Sequence, residues 1–98
     1  MYTVLRTKEF DEWLTKLRDA KGKARILARI RSAELGNLGD VEPVGEDVSE
    51  MRIHYGPGYR VYFKKKGTLL IILLLGGDKS SQTRDIKKAK TLASMLKE

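Results

Sequence analysis

Apolar and polar side chains alternate on both sides of a glycine-rich turn in the middle of the chain. Met51, Ile53 and Tyr55 occupy alternate positions before the turn, and the same period continues through residues 59–64. Gly56–Gly58, which includes a proline, separates the two runs and has the composition of a turn. Successive strand residues point to opposite faces, so the pattern predicts a β-hairpin with one apolar and one polar face.

Folding this hairpin symmetrically about Pro57 predicts which residues face each other across the two strands. Ile53 would face Val61 on the apolar face. A register shift by a single residue would mix apolar and polar positions on both faces. The pairs expected on the polar face are His54 with Arg60, Arg52 with Tyr62, and Glu50 with Lys64.

Helical spacing of apolar residues appears before and after the hairpin. It predicts one helix after a Thr7 cap, a second helix from about 23 to 35, and a last helix that begins near Ser80 or Ser81. The segment 37–46 is rich in glycine and contains a proline, and is predicted to be a loop.

Two further strands complete the predicted sheet. Tyr2–Arg6 is short and contains β-branched and aromatic residues, and Leu69–Leu75 is a continuous run of leucine and isoleucine. An uninterrupted apolar strand is typical of one covered on both faces, so the second is expected to be central. The predicted order is β-α-α-β-β-β-α, in a single α+β domain over residues 1–98. Helices would pack on a mostly antiparallel sheet.

Charge is distributed unevenly along the chain. Residues 1–49 contain nine basic and nine acidic residues, whereas residues 50–98 contain eleven basic and four acidic residues and so carry the whole net charge of +7. This asymmetry favours a polyanionic partner, nucleic acid first, although a solubilising basic surface is the alternative.

Composition excludes several classes of protein and of site. The chain has no cysteine, which excludes disulfides and thiolate nucleophiles, and its single histidine is too few for a typical catalytic zinc site. Its longest apolar run has seven residues, far short of the roughly twenty that a membrane helix needs. With no signal peptide at the start, a cytoplasmic protein without a membrane segment is expected.

The second half of the chain contains a long ordered motif. It consists of Glu50-Met51-Arg52-Ile53, Gly56-Pro57-Gly58-Tyr59-Arg60-Val61-Tyr62, Leu74-Leu75-Gly76-Gly77-Asp78-Lys79-Ser80-Ser81-Gln82, and Asp85-Ile86 with Ala89. This motif resembles that of the phage-derived addiction-module killer proteins, a HigB-like branch of the RelE/ParE toxin superfamily. The resemblance implies a RelE-like α+β toxin that cuts mRNA on the ribosome as a metal-independent endoribonuclease and inhibits translation. It implies no cofactor, and a helix-turn-helix antitoxin as partner.

RNA cleavage needs a base for the 2′-hydroxyl, cations for the phosphate and an acid for the leaving oxygen. Arg60 matches the arginine with which RelE-type toxins stabilise the phosphate, and an arginine can grip two phosphate oxygens. The structural alternative is that Arg60 pairs with a carboxylate on a solvated sheet face. Arg52 fits a second phosphate contact. His54 is the acid/base candidate, kept neutral by Arg60 opposite. Lys79 matches a basic catalytic position of relatives, at a helix start suited to an anion.

Four further residues are predicted to bind RNA or its phosphates. They are Gln82, Tyr62, Lys64 and Asp85. Tyr62 could stack on a base, donate a proton or simply shield the sheet. Asp85 could accept a proton or merely complement the start of the last helix. His54 could equally be an ordinary residue of a polar sheet face.

The chain departs from the RelE pattern at one position, because 83–86 contains no aromatic residue where RelE-type toxins have a tyrosine. Two alternatives therefore stay open. One is a ParE-like toxin that poisons DNA gyrase without catalysis, and the other is an inactive toxin fold that serves as a binding module.

Overall fold

A computed structural model describes residues 1–96 of the chain. Its strands are β1 (Thr3–Arg6), β2 (Val41–Gly45), β3 (Val48–Ile53), β4 (Tyr59–Lys66) and β5 (Leu70–Gly77). Its helices are α1 (Lys8–Lys16), α2 (Ala20–Glu34) and α3 (Gln82–Met95), with a short 3-10 turn over Lys79–Ser81 before α3. No helix in this part of the chain has the length and apolarity needed to cross a membrane.

The five strands form one mixed sheet in the order β1-β5-β4-β3-β2. β1 runs parallel to β5, and the other three pairings are antiparallel. The predicted α+β class and mostly antiparallel sheet are therefore confirmed. The last apolar run forms β5, which lies between two other strands as expected.

Helices cover both faces of the sheet and create two cores. Residues of α1 and α2 pack on one face, where Phe10, Ile26 and Met51 are completely buried. α3 packs on the other face, where Ala89 and Tyr62 are completely buried. Both cores take residues from β5, which explains why this strand has no polar positions.

The loop predicted over 37–46 is partly wrong, because Val41–Gly45 forms β2 at the edge of the sheet. Val41 pairs with Met51 of β3, and the register shifts between Pro43 and Gly45. A proline cannot donate to a strand ladder but is tolerated on an edge strand. Glycine and proline thus gave this segment the composition of a loop although it pairs as a strand.

The hairpin forms as predicted in type but with a register two residues away from the expected one. Ile53 pairs with Tyr59, and Met51 pairs with Val61. A shift of two residues preserves which side chains share a face, so the apolar face packs on α1 and α2 as expected. The polar face of the hairpin is not an open surface, because α3 covers much of it.

Candidate functional site

Two arginines stand side by side at the end of the sheet nearest the hairpin turn. β3 and β4 place Arg52 directly opposite Arg60, and β4 and β5 place Arg60 opposite Gly77. We call this alignment across three strands the arginine row. Both arginines belong to the face that α3 covers, since their strand neighbours Met51 and Val61 pack in the core of the opposite face.

A buried carboxylate lies beneath the arginine row. Glu50 is only 1% exposed and accepts hydrogen bonds from Arg52 Nε at 3.2 Å and from Gln82 Nε2 at 2.8 Å. Arg60 Nε lies 3.6 Å from the same oxygen that Gln82 contacts. A buried carboxylate is costly unless it is paired and hydrogen-bonded, and these three side chains supply that compensation. The structure thus brings three predicted site residues together on Glu50, which sequence reasoning left out of the site.

Arg52 and Arg60 differ in the number of carboxylates that neutralise their positive charge. Arg52 Nη2 makes a second ion pair with Glu42 at 2.6 Å, and its hydrogen bond to Glu50 raises the pKa of Arg52. Arg60 has only its contact with Glu50 among residues 1–96, and its side chain is 12% exposed. Because that contact uses the buried Nε, the two terminal nitrogens of Arg60 have no partner in the same part of the chain.

Tyr62 is not available to stack on a base, contrary to the prediction from the sequence. It pairs with Glu50 across the β3–β4 ladder and is completely buried beneath α3. Its hydroxyl has no hydrogen-bond partner among residues 1–96. Burial, reinforced by the negative charge of Glu50, raises the pKa of Tyr62, so it stays neutral at physiological pH.

His54 is separated from the arginine row, so the predicted pairing with Arg60 is wrong. It follows the end of β3, its side chain is 73% exposed, and its Nε2 lies 2.5 Å from Asp40 Oδ2. This contact lowers the pKa of Asp40. Lys64 also lies away from the row, opposite Val48 rather than Glu50. It lies four positions beyond Arg60 along β4, which is about 13 Å in an extended strand.

Lys79 lies beside the hairpin turn, at the same end of the sheet as the arginine row. Its backbone N–H points to the Pro57 carbonyl at 3.4 Å, and its side chain is exposed. The expected anion site at this helix start is occupied by the chain's own carboxylate. Asp78 accepts from the backbone of Ser80 at 2.9 Å and caps the 3-10 turn, whereas Ser81 stands at the N-cap position of α3, one of the two positions predicted for it, without a side-chain cap hydrogen bond.

Comparison with known proteins places the chain in a family. No family model matches it. A Haemophilus influenzae strain Rd protein, described as uncharacterized, is 51% identical over 90 residues, which covers 92% of this chain and 91% of that protein. The chain belongs to the family of this Haemophilus protein. The shared length takes in nearly the whole fold.

In this chain, two adjacent glycines at the end of β5 let helices approach the strand from both faces of the sheet. A Cβ added at Gly76 would lie 2.1 Å from the ring of Trp13, and one at Gly77 would lie 1.9 Å from Asp85 Oδ2. Asp85 is 7% exposed and accepts a hydrogen bond from Ser81 Oγ. Asp85 lies in the first turn of α3, which fits the alternative in which it complements the start of that helix.

A cavity of about 450 Å³ lies between α1 and α3 beside the end of β5. Charged residues of both signs line it: Glu9, Glu12, Asp78, Asp85, Lys16, Arg84 and Lys88. Neither arginine of the row lines this cavity. The arginine row therefore lies outside the cavity, with the side chain of Arg52 31% exposed and that of Arg60 12% exposed.

The arrangement can bind and stabilise an anion but offers no obvious protein nucleophile. The Glu50 cluster consists of Glu50, Arg52, Arg60 and Gln82, none of which is a typical nucleophile when paired in this way. Arginine tips without partners are suited to phosphate oxygens. Such a site fits a reaction in which the substrate supplies its own nucleophile.

Proposed function

We propose that this protein is the toxin of a type II toxin–antitoxin module and cuts mRNA on the ribosome as a metal-independent endoribonuclease. One observation carries the proposal. Arg60, the motif arginine, is held through Nε by a buried carboxylate while its two terminal nitrogens have no partner among residues 1–96. This leaves the part of the guanidinium that can grip two phosphate oxygens free to do so.

The proposed reaction is transesterification within the RNA. The 2′-oxygen attacks the adjacent phosphorus and loses its proton, the bond from phosphorus to the 5′-oxygen breaks, and that oxygen takes a proton. The products are a 2′,3′-cyclic phosphate and a 5′-hydroxyl end. Arg60 stabilises the extra negative charge on the non-bridging oxygens of the transition state, and Arg52 provides a second positive charge next to it.

RNA on the ribosome also suits the charge of the second half of the chain. Residues 50–98 carry the full net charge of +7. On α3, Lys87 and Lys88 are exposed. Contacts between such lysines and phosphates release counterions, so the affinity for the ribosome should fall as salt rises. We place the proposed toxin in the cytoplasm. Its proposed partner is a helix-turn-helix antitoxin that neutralises it.

Inducing the chain in a bacterial host tests this proposal. Growth and mRNA 5′ ends are followed together for the wild type, for Arg60→Ala, and for Arg31→Ala as a matched control. Arg31 lies on α2 with its side chain 70% exposed and pairs only with Glu34 among residues 1–96. The wild type and the control should arrest growth and produce new 5′ ends in translated mRNA, whereas Arg60→Ala should do neither.

Two other results would contradict the proposal and point to its alternatives. Growth arrest with intact mRNA and broken DNA would indicate a gyrase poison. Normal growth at equal expression would indicate a binding module without toxin activity.

A further inference from the structure

We infer that Glu50 is the positioning residue that sets both guanidinium groups of the arginine row. Its two carboxylate oxygens are divided between the arginines, with Oε1 on Arg52 Nε at 3.2 Å and Oε2 nearest Arg60 Nε at 3.6 Å. Both arginines are therefore held at Nε, the nitrogen nearest the backbone. For Arg52 this contact is a hydrogen bond, and its Nη2 is also paired with Glu42. For Arg60 it is a charge contact without a hydrogen bond, which keeps Nε inside and leaves the two terminal nitrogens for a ligand.

Because Glu50 is buried, it can hold the two arginines in place but cannot itself contact RNA. The residue is 1% exposed, whereas the side chain of Arg52 is 31% exposed. The side chain of Arg60 is 12% exposed, so both arginines are more accessible to a phosphate than the carboxylate beneath them. Glu50 thus acts through the arginines.

Gln82 links the Glu50 carboxylate to α3. Its amide donates to Glu50 Oε2 at 2.8 Å from the first residue of the helix. The carboxylate is therefore fixed from β3, on which it stands, and from α3, which covers it. The arginine row keeps its geometry only while the sheet and α3 stay in this arrangement.

Loss of the carboxylate has a specific consequence for Arg60. Arg60 Nε is buried and makes no hydrogen bond, so the charge of Glu50 is its only compensation among residues 1–96. Without that charge, the guanidinium has no reason to keep its Nε inside and is expected to turn toward water. Arg52 would keep its contact with Glu42 and move less.

The test compares Glu50→Gln with Glu46→Gln, which removes the same charge from an exposed residue that pairs with Lys90 at 3.7 Å. The first measurement is exchange of the arginine Nε–Hε protons with water by NMR, assigned with Arg52→Lys and Arg60→Lys. In Glu50→Gln, exchange at Arg60 should become about tenfold faster or more as its Nε turns toward solvent. Glu46→Gln should match the wild type.

The second measurement is mRNA cleavage on translating ribosomes, and it rests on the proposed function. Glu50→Gln should lower kcat by about 10- to 100-fold and change KM by less than about threefold, because Glu50 orients the arginines without touching RNA. Glu50→Asp guards against loss of folding, since it keeps the buried charge. It should cause a smaller loss in the same direction.

Each result decides the inference. Unchanged exchange at Arg60 in a folded Glu50→Gln or Glu50→Asp variant would overturn it. Faster exchange at Arg60 Nε with an unchanged kcat in Glu50→Gln would overturn the role of Glu50 in positioning the arginines for cleavage. If the wild type cleaves no mRNA, the proposed function fails, and the exchange measurement alone still decides whether Glu50 holds the arginine row.

Discussion

Replacing Gly77 with alanine should destabilise the protein through one side chain. The added Cβ would lie 1.9 Å from Asp85 Oδ2 and 2.9 Å from its Cγ. Ordinary contact begins near 3.4 Å, so the carboxylate must withdraw by about 1.5 Å. Asp85 is short, buried and bonded to Ser81, so it cannot withdraw without moving the first turn of α3.

The expected cost follows from this forced movement. Overpacking by one carbon in a well-packed site typically costs about 1–3 kcal/mol. Alanine also reduces the freedom of the unfolded chain, which returns about 0.5 kcal/mol. We therefore expect Gly77→Ala to lower the free energy of unfolding by about 2 kcal/mol, or roughly 10 °C in Tm for a domain of this size.

A double-mutant cycle measured by urea unfolding tests the reasoning. Asp85→Ala removes both atoms that the new Cβ would strike and leaves Ser81 Oγ at 3.1 Å. In that background Gly77→Ala should cost less than about 0.5 kcal/mol, so the two changes should be strongly coupled. An equal cost of Gly77→Ala with and without Asp85 would refute the steric explanation.

Two further predictions follow from the contacts of His54 and Tyr59. His54→Ala should leave mRNA cleavage within about twofold of the wild type, because His54 contacts Asp40 and not the arginine row. A tenfold loss of cleavage would show instead that His54 takes part in the reaction. Burial and the bond to Asp19 raise the pKa of Tyr59 from 10.0 to about 12. Folding thus favours the neutral hydroxyl, so this stabilisation is complete below pH 10 and is lost as the pH rises toward 12. Urea midpoints should fall more over this range in the wild type than in Tyr59→Phe, and parallel falls would contradict the assignment.

The alternating pattern could predict the faces of the hairpin but not its register. A pairing of Ile53 with Val61 and the observed pairing with Tyr59 place the same residues on the same face. Apolar periodicity cannot distinguish two registers that differ by two residues. The choice depends on the geometry of the turn, in which the Gly58 N–H bonds to the Tyr55 carbonyl.

The candidate site was only partly predictable for a related reason. Polar residues on one strand face normally indicate a solvated surface, yet Glu50 and Tyr62 form a buried polar layer beneath α3. The sequence did offer one signal for Glu50. It stands two residues before Arg52, which places both side chains on the same face of β3. Only the packing of α3 shows that the carboxylate is enclosed, and only the position of Asp40 just before β2 shows that His54 has another partner.

Cleavage of a single defined mRNA by purified protein on translating ribosomes tests the central claim most directly. Wild-type protein and the Arg31→Ala control should cut the message only when ribosomes translate it and should leave 5′-hydroxyl ends. Arg60→Ala should lower the rate by about 100-fold or more, since it removes the cation expected to stabilise the transition state. Equal cleavage by Arg60→Ala, or no cleavage by folded wild-type protein, would contradict the account.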